Sequence, residues 1–308
     1  MNSLSNLQKV LAEGKFAVTA EIGPPKGSDP NKIIDKADVL KGYADAFNIT
    51  DNQTAVVRLS SMGGCFILLK MELEPIMQIS CRDRNRIALQ SDVLGACANG
   101  VRNILFITGD HQSFGNHPDA KGVYDLDSIQ LISIVKDMRD SGIFQSGDKI
   151  LSGNPDVFIG AAANPFADPF EFRVDRLEKK IKAGSDFIQT QSVFNLDRFN
   201  VWMDEVRSRG LDKKVHILAG ITPLKSLKMT ERMKFFVPGV DIPDDIYDRM
   251  KKADDPKKEG FTIAHDLINE VKKIKGVHGV HITALFWEDI IPDLVKETGL
   301  YPRSSSVY

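Results

Sequence analysis

Eight short runs rich in β-branched and aromatic residues, each closing on turn or polar residues, recur along the chain at a near-constant step. They are FAVTAEIGP, AFNITD, PIMQIS, NILFITGD, DVFIGAAANP, FIQTQSVF, VHILAGITP and VHITALF, closing near Pro24, Thr50, Ser80, Gly109, Pro165, Phe194, Pro223 and Phe286. Successive closures lie 26, 30, 29, 56, 29, 29 and 63 residues apart. A step of about 29 residues holds one strand and the helix that crosses back to begin a parallel neighbour. Helical patterns, mostly opened by Asp or Pro and stopped by Gly, occupy 30–45, 83–100, 127–142, 169–184, 197–210 and 261–276. An open parallel sheet of eight strands leaves two edges to cover, and closure removes them. The spacing therefore predicts the α/β class: a single-domain (β/α)8 TIM barrel over residues 1–300, with a polar tail at 301–308.

The two long steps carry insertions, 111–128 after the fourth strand and 237–260 after the seventh. Loops that follow strands lie on the catalytic face of such a barrel, so both insertions are expected to border or cover the site.

Composition excludes several functions. The 308 residues carry 40 Lys and Arg against 42 Asp and Glu, a net charge of −2. No basic surplus is present to neutralise phosphates, so no nucleic-acid partner is expected. No apolar run reaches the roughly 18 to 20 residues of a membrane span, and the start lacks a signal-peptide pattern, which together predict a cytoplasmic protein. Cys65, Cys81 and Cys97 form no CxxC pair and read as buried free thiols. The six His form no HxH or HExxH pattern, and no metal site is expected. GxGxxG after a strand, a P-loop and a GxSxG elbow are all missing.

Residues at the C-terminal ends of barrel strands point at the substrate. The first strand ends at Glu21, followed by Ile22 and two prolines with no basic residue before Lys26. That apolar setting favours a protonated carboxyl, and Glu21 is the general-acid candidate. Thr50, Asp51 and Asn52 either line a polar ligand or make an Asx-type turn. Arg82, Arg84 and Arg86 around Asp83 either hold an anion or pair internally along a solvated helix start. In TGD, Gly109 permits close backbone approach and Asp110 offers a carboxylate at the barrel mouth. Ala161, Ala162 and Ala163 leave room for something large and flat. Gln189 and Gln191 share one strand face, where a heterocycle with donors and acceptors would satisfy them.

Taken in order, EIGPP, NITDN, QISCRDRNR, GVRNILFITGD, GVYDLDS, AANP, RLEKKIKAGSDFIQTQSVF and AGITP resemble the flavin-dependent methylenetetrahydrofolate reductases over about residues 15 to 300. The CRDRN version resembles a branch found in anaerobic and acetogenic bacteria. The resemblance implies a flavin at the strand ends, FAD placed ahead of FMN, and reduction of 5,10-methylenetetrahydrofolate to 5-methyltetrahydrofolate in one-carbon metabolism. It makes Glu21 the acid that protonates N10 of the folate. Asp110 would then act beside the flavin and bond the pterin edge, with Gln191 as its amide partner and Gln189 as a second folate contact. Thr50, Gln78, Thr108, Gly109, Asp110, Tyr124, Asp125, Ala162, Asn164, Arg176 and Lys180 fall where the family contacts its flavin. Arg176 and Lys180, one helical turn apart, suit a phosphate.

Gln78, Thr108, Asn164, Thr283 and Trp287 differ from the residues of the better-known bacterial members. Those differences imply that electrons come from a partner subunit rather than a free nicotinamide. Three scattered cysteines cannot hold an iron–sulfur cluster, so any such cluster belongs to that partner. A homo-oligomer is compatible with the sequence. Two other readings stand beside the reductase: a colourless, non-redox pterin or methyl-carrier barrel, and an electron-relay flavin subunit of a larger complex. Trp287 reads either as packing or as part of an apolar docking surface.

Overall fold

A computed structural model describes residues 4–303. Eight parallel strands pair in chain order and close into a barrel: β1 (Ala17–Ile22), β2 (Ala46–Ile49), β3 (Pro75–Ser80), β4 (Asn103–Ile107), β5 (Phe158–Ala163), β6 (Phe187–Ser192), β7 (His216–Ile221) and β8 (Val277–Ile282). β8 lies beside β1, with Thr19 opposite His281. Seven of the eight sequence runs contain one strand each and the last, 280–286, overlaps the end of β8, which begins at Val277; the fold is the single-domain (β/α)8 barrel that the spacing predicts.

The helices are α1 (Asn6–Ala12), α2 (Asn31–Leu40), α3 (Ser61–Lys70), α4 (Arg86–Ala98), α5 (Ser128–Asp140), α6 (Arg173–Ala183), α7 (Leu196–Ser208), α8 (Leu227–Phe236), α9 (Asp244–Lys252), α10 (Pro256–Val271) and α11 (Ile291–Glu297). Local chemistry sets their ends. The Asn85 side chain accepts the amides of Ile87 and Ala88 to start α4, and Asp127 with Gln130 forms a capping box on α5. α6 stops at Gly184, whose φ of 121° suits only glycine.

Several helical expectations need correction. α2 ends at Leu40 rather than near Asp45, because the buried Asp45 carboxylate accepts the Val18 amide at 2.8 Å and pairs with Arg303. α3 falls where the sequence pattern predicts no helix, since its apolar residues show no amphipathic period. Gly64 lets α3 lie against β2, where an added Cβ would sit 2.7 Å from Ile49 Cγ2. The insertion after β7, expected as a loop, holds α9 and closes α8. α10 begins at Pro256, capped by Asp255, ahead of the expected start at Phe261.

Strand alternation builds the barrel interior in layers. Ala17, Ala46, Ile76, Leu105, Phe158, Phe187 and Leu218 form an apolar floor, plugged from below by Leu7, Val10 and Leu11 of α1. The buried Glu74 carboxylate anchors that plug by accepting the Asn6 and Leu7 amides at 2.5 and 2.9 Å. Two residues further along the strands lies a polar layer of Thr19, Asn48, Gln78, Gln189 and His281. The rest of the core fills the space between sheet and helices.

The polar tail is docked at its start. Arg303 pairs with Asp45 and donates to the Phe16 carbonyl at 2.8 Å, and Tyr301 stacks on Tyr43 with centroids 5.1 Å apart. Residues 304–308 lie outside the described residues. All three cysteines are buried free thiols, and burial pushes Cys81 and Cys97 up to about 12, which leaves them unreactive. Trp287 is buried and therefore packing; its neighbour Phe286 faces solvent. No helix among the described residues is long and apolar enough to cross a membrane.

Candidate active site

The C-terminal ends of the strands surround a cavity of about 480 Å³, within the usual range for small-molecule sites. Its walls are Glu21 of β1, Gln78 of β3, Ile107 of β4, Ala162 and Ala163 of β5, Gln189 to Gln191 of β6, Gly220 of β7, and His281 with Thr283 at the end of β8. Arg173, Arg176 and Lys180 of α6 form one side. Met233 of α8, with Val237 and Val240 of the insertion after β7, closes another, as expected for that segment.

Glu21 stands at the cavity edge with a side chain 16% exposed. His281 Nε2 lies 3.8 Å from Glu21 Oε2, an electrostatic contact rather than a hydrogen bond. A chain of hydrogen bonds orients this imidazole. Gln189 Nε2 donates to Thr19 Oγ1 at 3.1 Å, so the Thr19 hydroxyl hydrogen is free for His281 Nδ1 at 3.0 Å or the Val280 carbonyl at 3.5 Å. When it goes to Nδ1, the shorter contact, Nε2 carries the proton and points toward Glu21 and Thr283 Oγ1, the latter at 3.3 Å. Sequence reasoning found no basic group near Glu21 and missed His281. The two are brought together only when β8 closes on β1.

Gln189 lines the cavity, but its amide is engaged. It exchanges hydrogen bonds with Asn48 across the barrel at 2.7 and 3.0 Å and also holds Thr19. Both of its polar atoms therefore have partners within the polar layer. Gln191 is available. It lines the cavity on the same strand face as Gln189, and only its Oε1 is used, by the Ser192 amide at 3.0 Å; the register of β6 against β7 breaks between Gln189 and Ser192. Gly220 lies against this bend; a Cβ there would meet the Thr190 carbonyl at 2.4 Å.

Gln78 is 9% exposed, lines the cavity and makes no side-chain hydrogen bond among the described residues. Buried amides of this kind are normally paired, so its position suits a ligand with ring donors or acceptors. Ala162 and Ala163 supply a flat wall beside it. Asn164 Oδ1 caps the following turn, accepting the Phe166 and Ala167 amides at 3.0 and 3.2 Å, and its amide group packs against Gly239. Lys180 Nζ donates to the Ala162 carbonyl at 2.5 Å and forms no ion pair among the described residues. Burial, reinforced by the neighbouring Arg176 charge, pushes Lys180 down to about 8. Arg176 makes no hydrogen bond or ion pair among the described residues. This donor set fits a flat heterocycle continued by a phosphate.

The other expected residues lie outside the cavity wall. Thr50 Oγ1 bonds Gln53 at 2.5 Å, Asp51 takes the Ser80 amide and hydroxyl, and Asn52 accepts the Arg58 amide, so this stretch is a turn rather than a ligand wall. Thr108 Oγ1 bonds Ser128 at 3.3 Å. Gly109, at φ 89°, is closely packed: a Cβ added there would meet the Cβ atoms of Arg82 and Ser80, each at 3.1 Å. Asp110 is exposed, with Oδ2 accepting the Thr54 amide at 3.1 Å. Tyr124 donates to the Asp110 carbonyl at 3.2 Å. Asp125 is held by Arg86, whose hydrogen bonds pull it down to about 2. The arginines of CRDRNR are paired internally: Arg82 with Asp83, Arg84 with Asp51 and Asp92, Arg86 with Asp125. This pairing is the internal arrangement that the sequence offers as one of its two readings.

A family profile described as methylenetetrahydrofolate reductase matches residues 6–299. The chain is 25% identical to the 5,10-methylenetetrahydrofolate reductase of Pectobacterium carotovorum subsp. carotovorum, over 98% of this chain and 97% of that protein. It is 24% identical to methylenetetrahydrofolate reductase 1 of Schizosaccharomyces pombe, over 74% of this chain but only 36% of that protein, so it spans about a third of the longer yeast relative. Among solved structures, a protein from Clostridium thermocellum described as binding two copies of 5-methyl-5,6,7,8-tetrahydrofolic acid superposes with a TM-score of 0.68 at 16% identity, over 96% of this chain and 100% of that one. That likeness shows the barrel fold.

Proposed function

Because the chain belongs to the methylenetetrahydrofolate reductase family, we propose that it reduces 5,10-methylenetetrahydrofolate to 5-methyltetrahydrofolate as a flavin-dependent enzyme of one-carbon metabolism. The observation that carries the reading is the Glu21 carboxyl at the cavity edge, with an oriented imidazole 3.8 Å away.

The flavin would be held by Gln78, Ala162, Asn164, Arg176 and Lys180, with the basic pair on α6 taking its phosphate. A bound flavin supplies the hydride that converts the folate methylene to a methyl group. Glu21 donates a proton to N10, opening the imidazolidine ring to an iminium at N5. This makes N10 a neutral leaving amine, and a positioned acid of this kind contributes about 10²- to 10⁴-fold. The N–H of His281 faces the carboxylate left behind and stabilises it. Gln191, with its NH₂ group free, bonds the pterin, and Asp110 meets the pterin edge from the rim. Met233, Val237 and Val240 exclude water from one side.

An acid at the cavity edge has no use in an electron relay, which sets this reading above a subunit that only passes electrons. We place the electron source in a partner subunit, as the substitutions at Gln78, Thr108 and Thr283 imply. The test is anaerobic. Purified protein should carry flavin, and 5-methyltetrahydrofolate should bleach it with formation of methylenetetrahydrofolate, whereas NADH and NADPH should bleach it far more slowly than dithionite. A colourless protein, or a flavin that the folate leaves oxidised, sinks the reductase; rapid bleaching by a nicotinamide removes only the partner.

A further inference from the structure

We propose that Arg82 is a positioning residue that clamps the Asp110 turn and fixes where its carboxylate meets the folate, an inference that rests on the folate reading above. Arg82 is 3% exposed although it carries a full charge. It reaches three separate segments at once. Nε and Nη2 make a two-pronged pair with Asp83, both at 2.7 Å; Nη2 also donates to the Asn52 carbonyl, and Nη1 to the Asp110 carbonyl, each at 3.2 Å. The planar guanidinium thus ties the end of β3 to the loops that follow β2 and β4. A lysine cannot reproduce this fork.

The two loops are fastened to each other around the same point. The Thr54 amide donates to Asp110 Oδ2 at 3.1 Å, and the Tyr124 hydroxyl donates to the Asp110 carbonyl at 3.2 Å. The Val123 amide donates to the Arg82 carbonyl at 2.7 Å and that of Tyr124 to the Cys81 carbonyl at 3.2 Å, drawing the far end of the β4 insertion onto Arg82. The loop after β2 accepts an uncommon backbone to make this contact, with positive φ at Asn52, Thr54 and Ala55, none of them glycine. Asp110 is held at its carbonyl by two donors and at one carboxylate oxygen by a third. Oδ1 accepts no hydrogen bond among the described residues, and the side chain is exposed three residues beyond Ile107, which lines the cavity. A carboxylate needed only as a surface charge does not require three fixed anchors. One that must match the donor edge of a heterocycle does.

The test measures binding of tetrahydrofolate, which lacks the one-carbon unit and is not turned over, to flavin-loaded enzyme by the change in flavin absorbance. Arg82→Gln is expected to weaken binding about tenfold, the usual worth of a lost charge-assisted bond, with flavin content unchanged. Arg82→Lys should restore little of it. Tyr124→Phe, which removes a surface hydroxyl and keeps the fold if Arg82→Gln does not, should weaken binding by about threefold. In an Asp110→Asn background, Arg82→Gln should add less than about a twofold loss, since both act through one contact. Fully additive losses, or wild-type affinity in both Arg82→Gln and Tyr124→Phe while Asp110→Asn binds weakly, overturn the clamp alone. Failure of the wild-type protein to bind tetrahydrofolate overturns the folate reading and the clamp with it.

Discussion

Replacing Gly220 by alanine should injure the site through the backbone alone. Gly220 lies opposite Ser192 at the break in β6 register, donates its amide to Thr190 Oγ1 at 2.9 Å and accepts the Val193 amide at 2.8 Å. An added Cβ would stand 2.4 Å from the Thr190 oxygen, 2.9 Å from the Gln191 oxygen and 3.0 Å from the Gln191 carbonyl carbon. Real Cβ atoms do not approach closer than 3.0 Å, and the atoms in the way are main chain, so the bend must retreat by at least about 0.6 Å. Overpacking of this kind costs about 1 to 3 kcal/mol. For a domain of this size that is a fall in Tm of about 2 to 5 °C. The same retreat displaces Gln191 in the cavity wall, and if Gln191 bonds the pterin as proposed, misplacement on this scale lowers kcat/KM by about tenfold or more. Thermal unfolding and folate-dependent flavin turnover read the two effects. Gly95→Ala is the control, because no atom lies within 4 Å of its added Cβ and the site is inside α4; its Tm should hold or rise. Wild-type Tm and turnover in Gly220→Ala would refute the reasoning.

Three further outcomes follow from the cavity walls. Lys180 is pushed down to about 8, so without a ligand it loses its proton above that pH, while a bound phosphate restores the charge; binding therefore takes up a proton, and flavin affinity should fall about tenfold between pH 7 and 9, read by flavin fluorescence quenching, with Lys180→Met flattening the dependence. The sign for folding is opposite: the unfolded chain holds the Lys180 proton up to higher pH than the native one, so this group makes the ligand-free fold more stable as pH rises from about 8 toward 10.5, seen as a denaturation midpoint that shifts upward relative to Lys180→Met. Gln191→Ala should raise the tetrahydrofolate dissociation constant by about 5- to 100-fold with flavin retained, measured by absorbance titration.

The barrel was legible because each strand ends where its hydrophobic run meets Pro, Gly or a polar residue, and those ends carry Glu21, Gln78, Ala162 and Gln191 into one cavity. α3 was not legible, since SMGGCFILLK is apolar on nearly every face and holds two glycines. α9 was hidden in a charge-rich insertion that resembles a loop by composition. At the site, His281 and Asn48 escaped notice because their partners are far away in sequence: Glu21 meets His281 only through closure of the barrel, and Asn48 meets Gln189 only across its interior. Thr50, Thr108, Tyr124 and Asp125 sit beside the cavity wall in bonds to other protein groups, which strand-end position alone does not reveal.

The central claim is that Glu21 supplies the proton that opens the folate ring, and a single-turnover experiment on Glu21→Gln tests it most directly. Wild-type and variant proteins are reduced with dithionite under anaerobic conditions, mixed with 5,10-methylenetetrahydrofolate in a stopped-flow instrument, and followed by the return of oxidised-flavin absorbance. The variant should bind flavin and accept dithionite electrons like wild type, yet reoxidise with the folate about 10²- to 10⁴-fold more slowly. Reoxidation of Glu21→Gln at the wild-type rate would contradict the account and remove Glu21 from the chemistry.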